Sequence, residues 1–125
     1  MSSEPSTADP TNSTSGRRTV LGISVHLVGI FFGFFGAGIV YLVSNNAFTS
    51  ENARNAVNWH ILVTAVVIVA AVVAFGLGTI SDWAVIIAAF GAIAVLLLNL
   101  LFCIIATFKA AGGEAWKYPG APGIL

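Results

Sequence analysis

Charge is what this chain has least of. Only ten of its 125 residues are Asp, Glu, Lys or Arg, 8%, where a soluble domain carries roughly a quarter. Five of each sign leave a net charge of zero, which excludes a nucleic-acid partner held by electrostatics. A single cysteine, Cys103, excludes a disulfide framework within the chain. Chemistry-bearing constellations are missing too. There is no nucleophile beside a base, no carboxylate pair and no ligand spacing among His26, His60, Cys103 and Asp82. The glycines Gly33, Gly36 and Gly38 follow no strand and cannot be a phosphate loop. The expectation is therefore a protein that is not an enzyme and holds no cofactor.

What is abundant is apolar sequence, and the placement of the few charges organises it. Glu4, Asp9, Arg17, Arg18, Glu51, Arg54, Asp82, Lys109, Glu114 and Lys117 leave three silent gaps, residues 19–50, 55–81 and 83–108. Each holds an apolar run able to cross a hydrocarbon core of ~30 Å. The runs are apolar all round, without the polar stripe of a soluble bundle helix. The predicted fold is all-α, a polytopic membrane protein of three transmembrane helices. One membrane domain is expected over residues 19–119, with spans at about 20–43, 53–77 and 83–109. Residues 1–18 read as a disordered polar tail, rich in Ser, Thr and Pro, and residues 120–125 as a short C-terminal tail. Asn12-Ser13-Thr14 has the form of a glycosylation acceptor, a pattern common by chance in such tails. Arg17-Arg18 before an apolar run has the form of an export signal, but the run is long and two further spans follow, so the pair reads as a juxtamembrane anchor.

Within span one, Gly22, His26, Gly29, Gly33 and Gly36 project to one side, with Ala37 beside them, and Gly29 to Gly33 is a GxxxG pair. This predicts a helix-packing seam, and the glycines from 33 to 38 also offer a kink. His26 on that seam must face protein or water. Span two begins with a polar turn: Thr49 or Ser50 is the expected cap, and Glu51, Arg54, Asn55 and Asn58 form one interfacial face. Span three aligns Ala88, Ala92, Val95, Asn99, Cys103, Ala106 and Ala110. Antiparallel packing brings Asn99 level with the start of span two, so a hydrogen bond from Asn99 to His60 or Asn58 is predicted. Trp83, Trp116, Lys117 and Tyr118 are placed as interfacial anchors.

Val25-His26-Leu27, Glu51-Asn-Ala-Arg-Asn-Ala-Val-Asn-Trp59 and Glu114-Ala-Trp-Lys-Tyr-Pro119 together resemble a family of small prokaryotic membrane proteins grouped with the Tic-twenty subunit of the chloroplast inner-envelope import machinery. The likeness covers about residues 20–119, with His60 where that family usually has glutamine. It implies a multi-pass protein of the cell membrane with the start of span two and the Tyr118-Pro119 segment on the cytoplasmic face. Three spans would then put the N-terminus outside and the C-terminus in the cytoplasm. The leading functional expectation is an accessory or scaffold subunit packing through its small-residue faces, partnered by the lipid bilayer and by a homo-oligomer or larger membrane complex. The alternative is an oligomeric pore or carrier, with His26, Asn58, His60 and Asn99 lining a hydrated path.

Overall fold

The computed structural model describes residues 17–125, so most of the predicted tail and the Asn12 triplet lie outside the described residues. The chain is all-helical: α1 (Val20–Val43), α2 (Ala47–Leu77) and α3 (Asp82–Ala111). By residue count and composition each could cross a membrane. Thr19 caps α1, its hydroxyl accepting from the Gly22 amide at 2.9 Å. The cap of α2 is Asn46 rather than Thr49 or Ser50, its side-chain oxygen accepting from the Thr49 amide at 3.1 Å. Asparagine is a strong cap, and the earlier start turns Phe48 inward, where it is buried. Thr49 is thereby freed to hydrogen-bond Thr19, and Glu51 falls beyond the first turn. α3 stops at Gly112-Gly113, with the Arg18 guanidinium donating to the Ala111 carbonyl at 2.7 Å, a cation at the negative end of a helix dipole.

α1 is not a straight rod. Gly33 sits at φ 58°, ψ −146°, a region open essentially to glycine alone. The chain turns back there, so that a Cβ at Gly36 would meet Val28 and Phe32. A straight helix of 24 residues would separate its ends by about 36 Å at ~1.5 Å per residue. Instead Asn46 Nδ2 donates to the Arg17 carbonyl at 3.3 Å. The two arms, residues 20–32 and 34–43, form a hairpin against the first half of α2, where Val25, Ala37 and Val40 pack on Ala53, Ala56 and Val57. All the buried residues of α2 lie between Phe48 and Val63.

Two expectations change with this turn. Gly33 leaves the packing seam: it is half-buried, and a Cβ on it would meet nothing, so its small size serves backbone conformation rather than close approach. The expected separation of the ends is also overturned, because Arg17 and Arg18 lie beside Asn46 and Ala111. The first described residues, the α1–α2 connection and the end of α3 share one end of the bundle. The α2–α3 turn occupies the other.

Candidate functional site

The shared end is built around buried polar side chains. Gly22 and Gly29 make room for it, and the space beside each buried seam glycine is filled by this chain's own residues: Phe48 covers Gly22, the His60 ring lies over Gly29, and, nearer the Gly33 turn, Val28 and Phe32 approach Gly36. Ala37, the fifth seam residue, is fully buried. His26, also fully buried, faces Asn52 Oδ1 with Nε2 at 2.9 Å and the Tyr118 hydroxyl with Nδ1 at 2.8 Å. Asn52 Nδ2 donates to the Phe48 carbonyl at 3.0 Å, which fixes its amide orientation. His26 Nε2–H therefore donates to Asn52, and Nδ1 accepts from Tyr118.

A second arm of the network runs through Cys103. His60 Nδ1 lies 2.7 Å from the Ala56 carbonyl, to which it donates, leaving Nε2 to face Cys103 Sγ at 3.8 Å. The thiol also reaches Asn99 Oδ1 at 3.6 Å and the Tyr118 hydroxyl at 3.8 Å. Asn99 Oδ1 accepts from Trp59 Nε1 at 2.8 Å. The level predicted for Asn99 is right and the partner is different. One residue turns a helix by about a hundred degrees, and the face of α2 toward α3 is that of Trp59, not Asn58. Among the described residues no buried side-chain nitrogen or oxygen lacks a hydrogen-bond partner, the condition under which a buried polar network rigidifies a core.

Tyr118 shows why the end of the chain matters. It is 2% exposed, inside the bundle rather than among the interfacial anchors. Its ring stacks on Trp59 with centroids 5.3 Å apart and planes 5° from parallel, and Trp116 closes over it at 5.4 Å and meets Phe102 edge-on. Burial pushes the Tyr118 phenol well above its ordinary range, and neighbouring Cys103 adds to the effect. Of the other anchors, Trp83 and Lys117 are exposed and Trp116 is half-buried.

The polar face at the start of α2 meets this returning segment. Asn55 Nδ2 donates to the Trp116 carbonyl at 3.2 Å, and Asn58 Oδ1 accepts from the amides of Ile124 and Leu125 at 3.2 and 3.0 Å. Glu51 and Arg54 remain exposed, 3.8 Å apart, a pair worth little at such a surface. The short C-terminal tail is thus tied back to α2 through the amides of Ile124 and Leu125.

Sequence reasoning missed Asn52 and the inward roles of Tyr118 and Trp59. The signal for Asn52 was the inward row Thr49, Asn52, Ala56, His60 and Val63, spaced three to four residues apart, all buried. No comparable signal existed for Tyr118, whose partner lies 92 residues away. Among the described residues, no group of three His, Cys, Asp or Glu side chains could hold a metal ion. The geometry is that of a sealed structural network at one end of a multi-pass membrane protein.

Comparison with curated proteins and with solved structures gives no match. The likeness to the Tic-twenty group rests on the quoted motifs alone. A family model described as the magnetosome magnetite crystal formation protein family, MamF/MmsF, matches residues 17–125, all the described residues including the network and the docked C-terminal segment. The chain belongs to that family.

Proposed function

We propose that this protein is an accessory or scaffold subunit of the magnetosome membrane, where it supports magnetite crystal formation. The observation that carries the reading is the family match over residues 17–125. It names a membrane-bounded process and covers a chain with three helices apolar enough to cross a bilayer. The packing surface for neighbours is not the glycine seam, which the chain fills itself. It is the shallow groove between α2 and α3 lined by Val67, Ala70, Ala74, Ala88, Ala89 and Ala92, where small side chains permit close approach of another helix. The Tic-twenty-like motifs are compatible with the same accessory role.

The pore or carrier reading finds no support in the geometry. His26 and Asn99 are held by partners on other helices, His60 by its own backbone and Cys103, and Asn58 by the terminal amides. His26, His60 and Asn99 meet through Tyr118 and Cys103 in one network of satisfied partners, which Asn58 does not join.

The test is deletion of the gene in a magnetite-forming cell, with crystal dimensions and number measured by electron microscopy. Altered crystals restored by the native chain are expected, with an Ala70→Leu, Ala88→Leu variant restoring them less well and losing partners crosslinked in mild detergent. Crystals unchanged by deletion would overturn the reading.

A further inference from the structure

The turn at Gly33 changes what α1 can do in a bilayer. Its arms are about 20 Å and 15 Å long at ~1.5 Å per residue; the first begins and the second ends beside the start of α2. The faces they turn outward are apolar throughout: Leu27, Phe31, Phe32, Phe35, Ile39 and Leu42 are all exposed, Phe31 and Leu42 at 81% each. These faces continue the exposed apolar surfaces of α2 and α3, whose occupant is lipid, so acyl chains are the chemistry that covers them.

We propose that α1 is a hairpin inserted from one side into a single leaflet, which makes the protein a wedge whose partner is a curved bilayer. In this arrangement only α2 and α3 cross. Near the chain ends, four helical sections stand side by side; beyond Val63, where no residue of α2 is buried, two remain. Each section is ~10 Å wide, so the leaflet on the side of the chain ends is the one spread apart.

A separate observation fixes which leaflet that is. Read as three straight spans, Arg17 and Arg18 oppose Arg54, Lys109 and Lys117 across the membrane, and the positive-inside rule is nearly balanced. Read as a hairpin followed by two spans, all five Lys and Arg of the sequence fall at one end, and the α2–α3 turn carries only Asp82. Five against none places that end in the cytoplasm. The wedge then widens the cytoplasmic leaflet and suits membrane that is convex toward the cytoplasm, as in a vesicle held inside the cell.

The experiment has two arms, neither of which involves magnetite, so failure here is separable from failure of the crystal-formation reading. In sealed membrane vesicles of one orientation from cells making the full chain, Arg17→Cys, Asn45→Cys, Thr79→Cys and Gly123→Cys variants are treated with a membrane-impermeant maleimide. The parent chain is the blank, since Cys103 is fully buried. The expected pattern is labelling of residues 17, 45 and 123 from the cytoplasmic side and of residue 79 only from the other. Labelling of 17 together with 79 overturns the proposal. In the second arm the purified chain is reconstituted into vesicles of mixed diameter, and protein per lipid is read vesicle by vesicle for molecules with their chain ends outward. Density rising about twofold or more from the largest to the smallest vesicles is expected, as for other one-leaflet insertions. Equal density at all sizes overturns the wedge. Gly33→Ala, which strains the turn, is expected to flatten that rise while helix content by circular dichroism is kept. If the variant misfolds, the labelling pattern and the density slope of the native chain still decide.

Discussion

Replacing Gly29 with alanine places one methyl group where the His60 imidazole lies, overlapping three of its ring atoms. Its effect can be worked out in advance because His60 has no freedom to retreat. Its Nδ1 is tied to the Ala56 carbonyl at 2.7 Å, and Cys103 stands 3.8 Å behind its other nitrogen. Overpacking a close-packed site costs about 1–3 kcal/mol, and displacing the ring from its carbonyl costs about 1 kcal/mol more. Alanine's better helix propensity returns about 1 kcal/mol. A net loss of about 1–3 kcal/mol is expected, read as a lower unfolding midpoint in a detergent titration followed by circular dichroism. Two glycines of the same helix calibrate it. Gly38→Ala meets nothing and should be neutral or slightly stabilising. Gly33→Ala meets nothing either but must hold φ 58°, so it should lose about 1–3 kcal/mol through backbone strain alone. In a double-mutant cycle, His60→Ala should relieve most of the Gly29→Ala penalty, because the clash is with that ring, whereas it should not relieve Gly33→Ala. If Gly29→Ala proves as stable as Gly38→Ala, the packing argument for the seam is refuted.

Three further outcomes follow from the network. Tyr118 binds its proton more tightly in the folded chain than in the unfolded one, so its contribution is complete below about pH 10, the ordinary phenol value. It is lost as pH rises toward the folded value, at up to about 1.4 kcal/mol per pH unit; Tyr118→Phe should remove that alkaline slope in unfolding midpoints measured against pH. Trp59→Phe keeps the stacking on Tyr118 but leaves Asn99 Oδ1 without its indole donor, and a loss of about 1 kcal/mol is expected in the same titration. Asn58→Ala removes the acceptor for the Ile124 and Leu125 amides, so hydrogen exchange at those two amides should accelerate while exchange in the middle of α2 stays unchanged.

The sequence by itself settled the solvent and the element count. Gaps of 26 residues and more between ionised side chains have one physical reading, helices in lipid, since hydrocarbon tolerates neither free backbone polar groups nor unpaired charge. It also settled that Asn99 stands level with the start of α2, because antiparallel neighbours joined by a short turn leave no other register. The side chain that would meet Asn99 was not legible. Rotation by one residue exchanges Asn58 or His60 for Trp59, and only packing selects among them. Tertiary structure alone decided where Tyr118 goes. The cue of an aromatic beside Lys117 describes an interfacial anchor equally well, and the site that draws the ring inward is assembled from His26, Trp59 and Cys103, far away along the chain. The course of α1 was decided in the same way. A glycine-rich apolar run can be a straight span or a folded pair of arms, and the backbone freedom of Gly33 permits both. What selects the hairpin is the first half of α2, which offers Ala53, Ala56 and Val57 to both arms and Asn52 and His60 to the first.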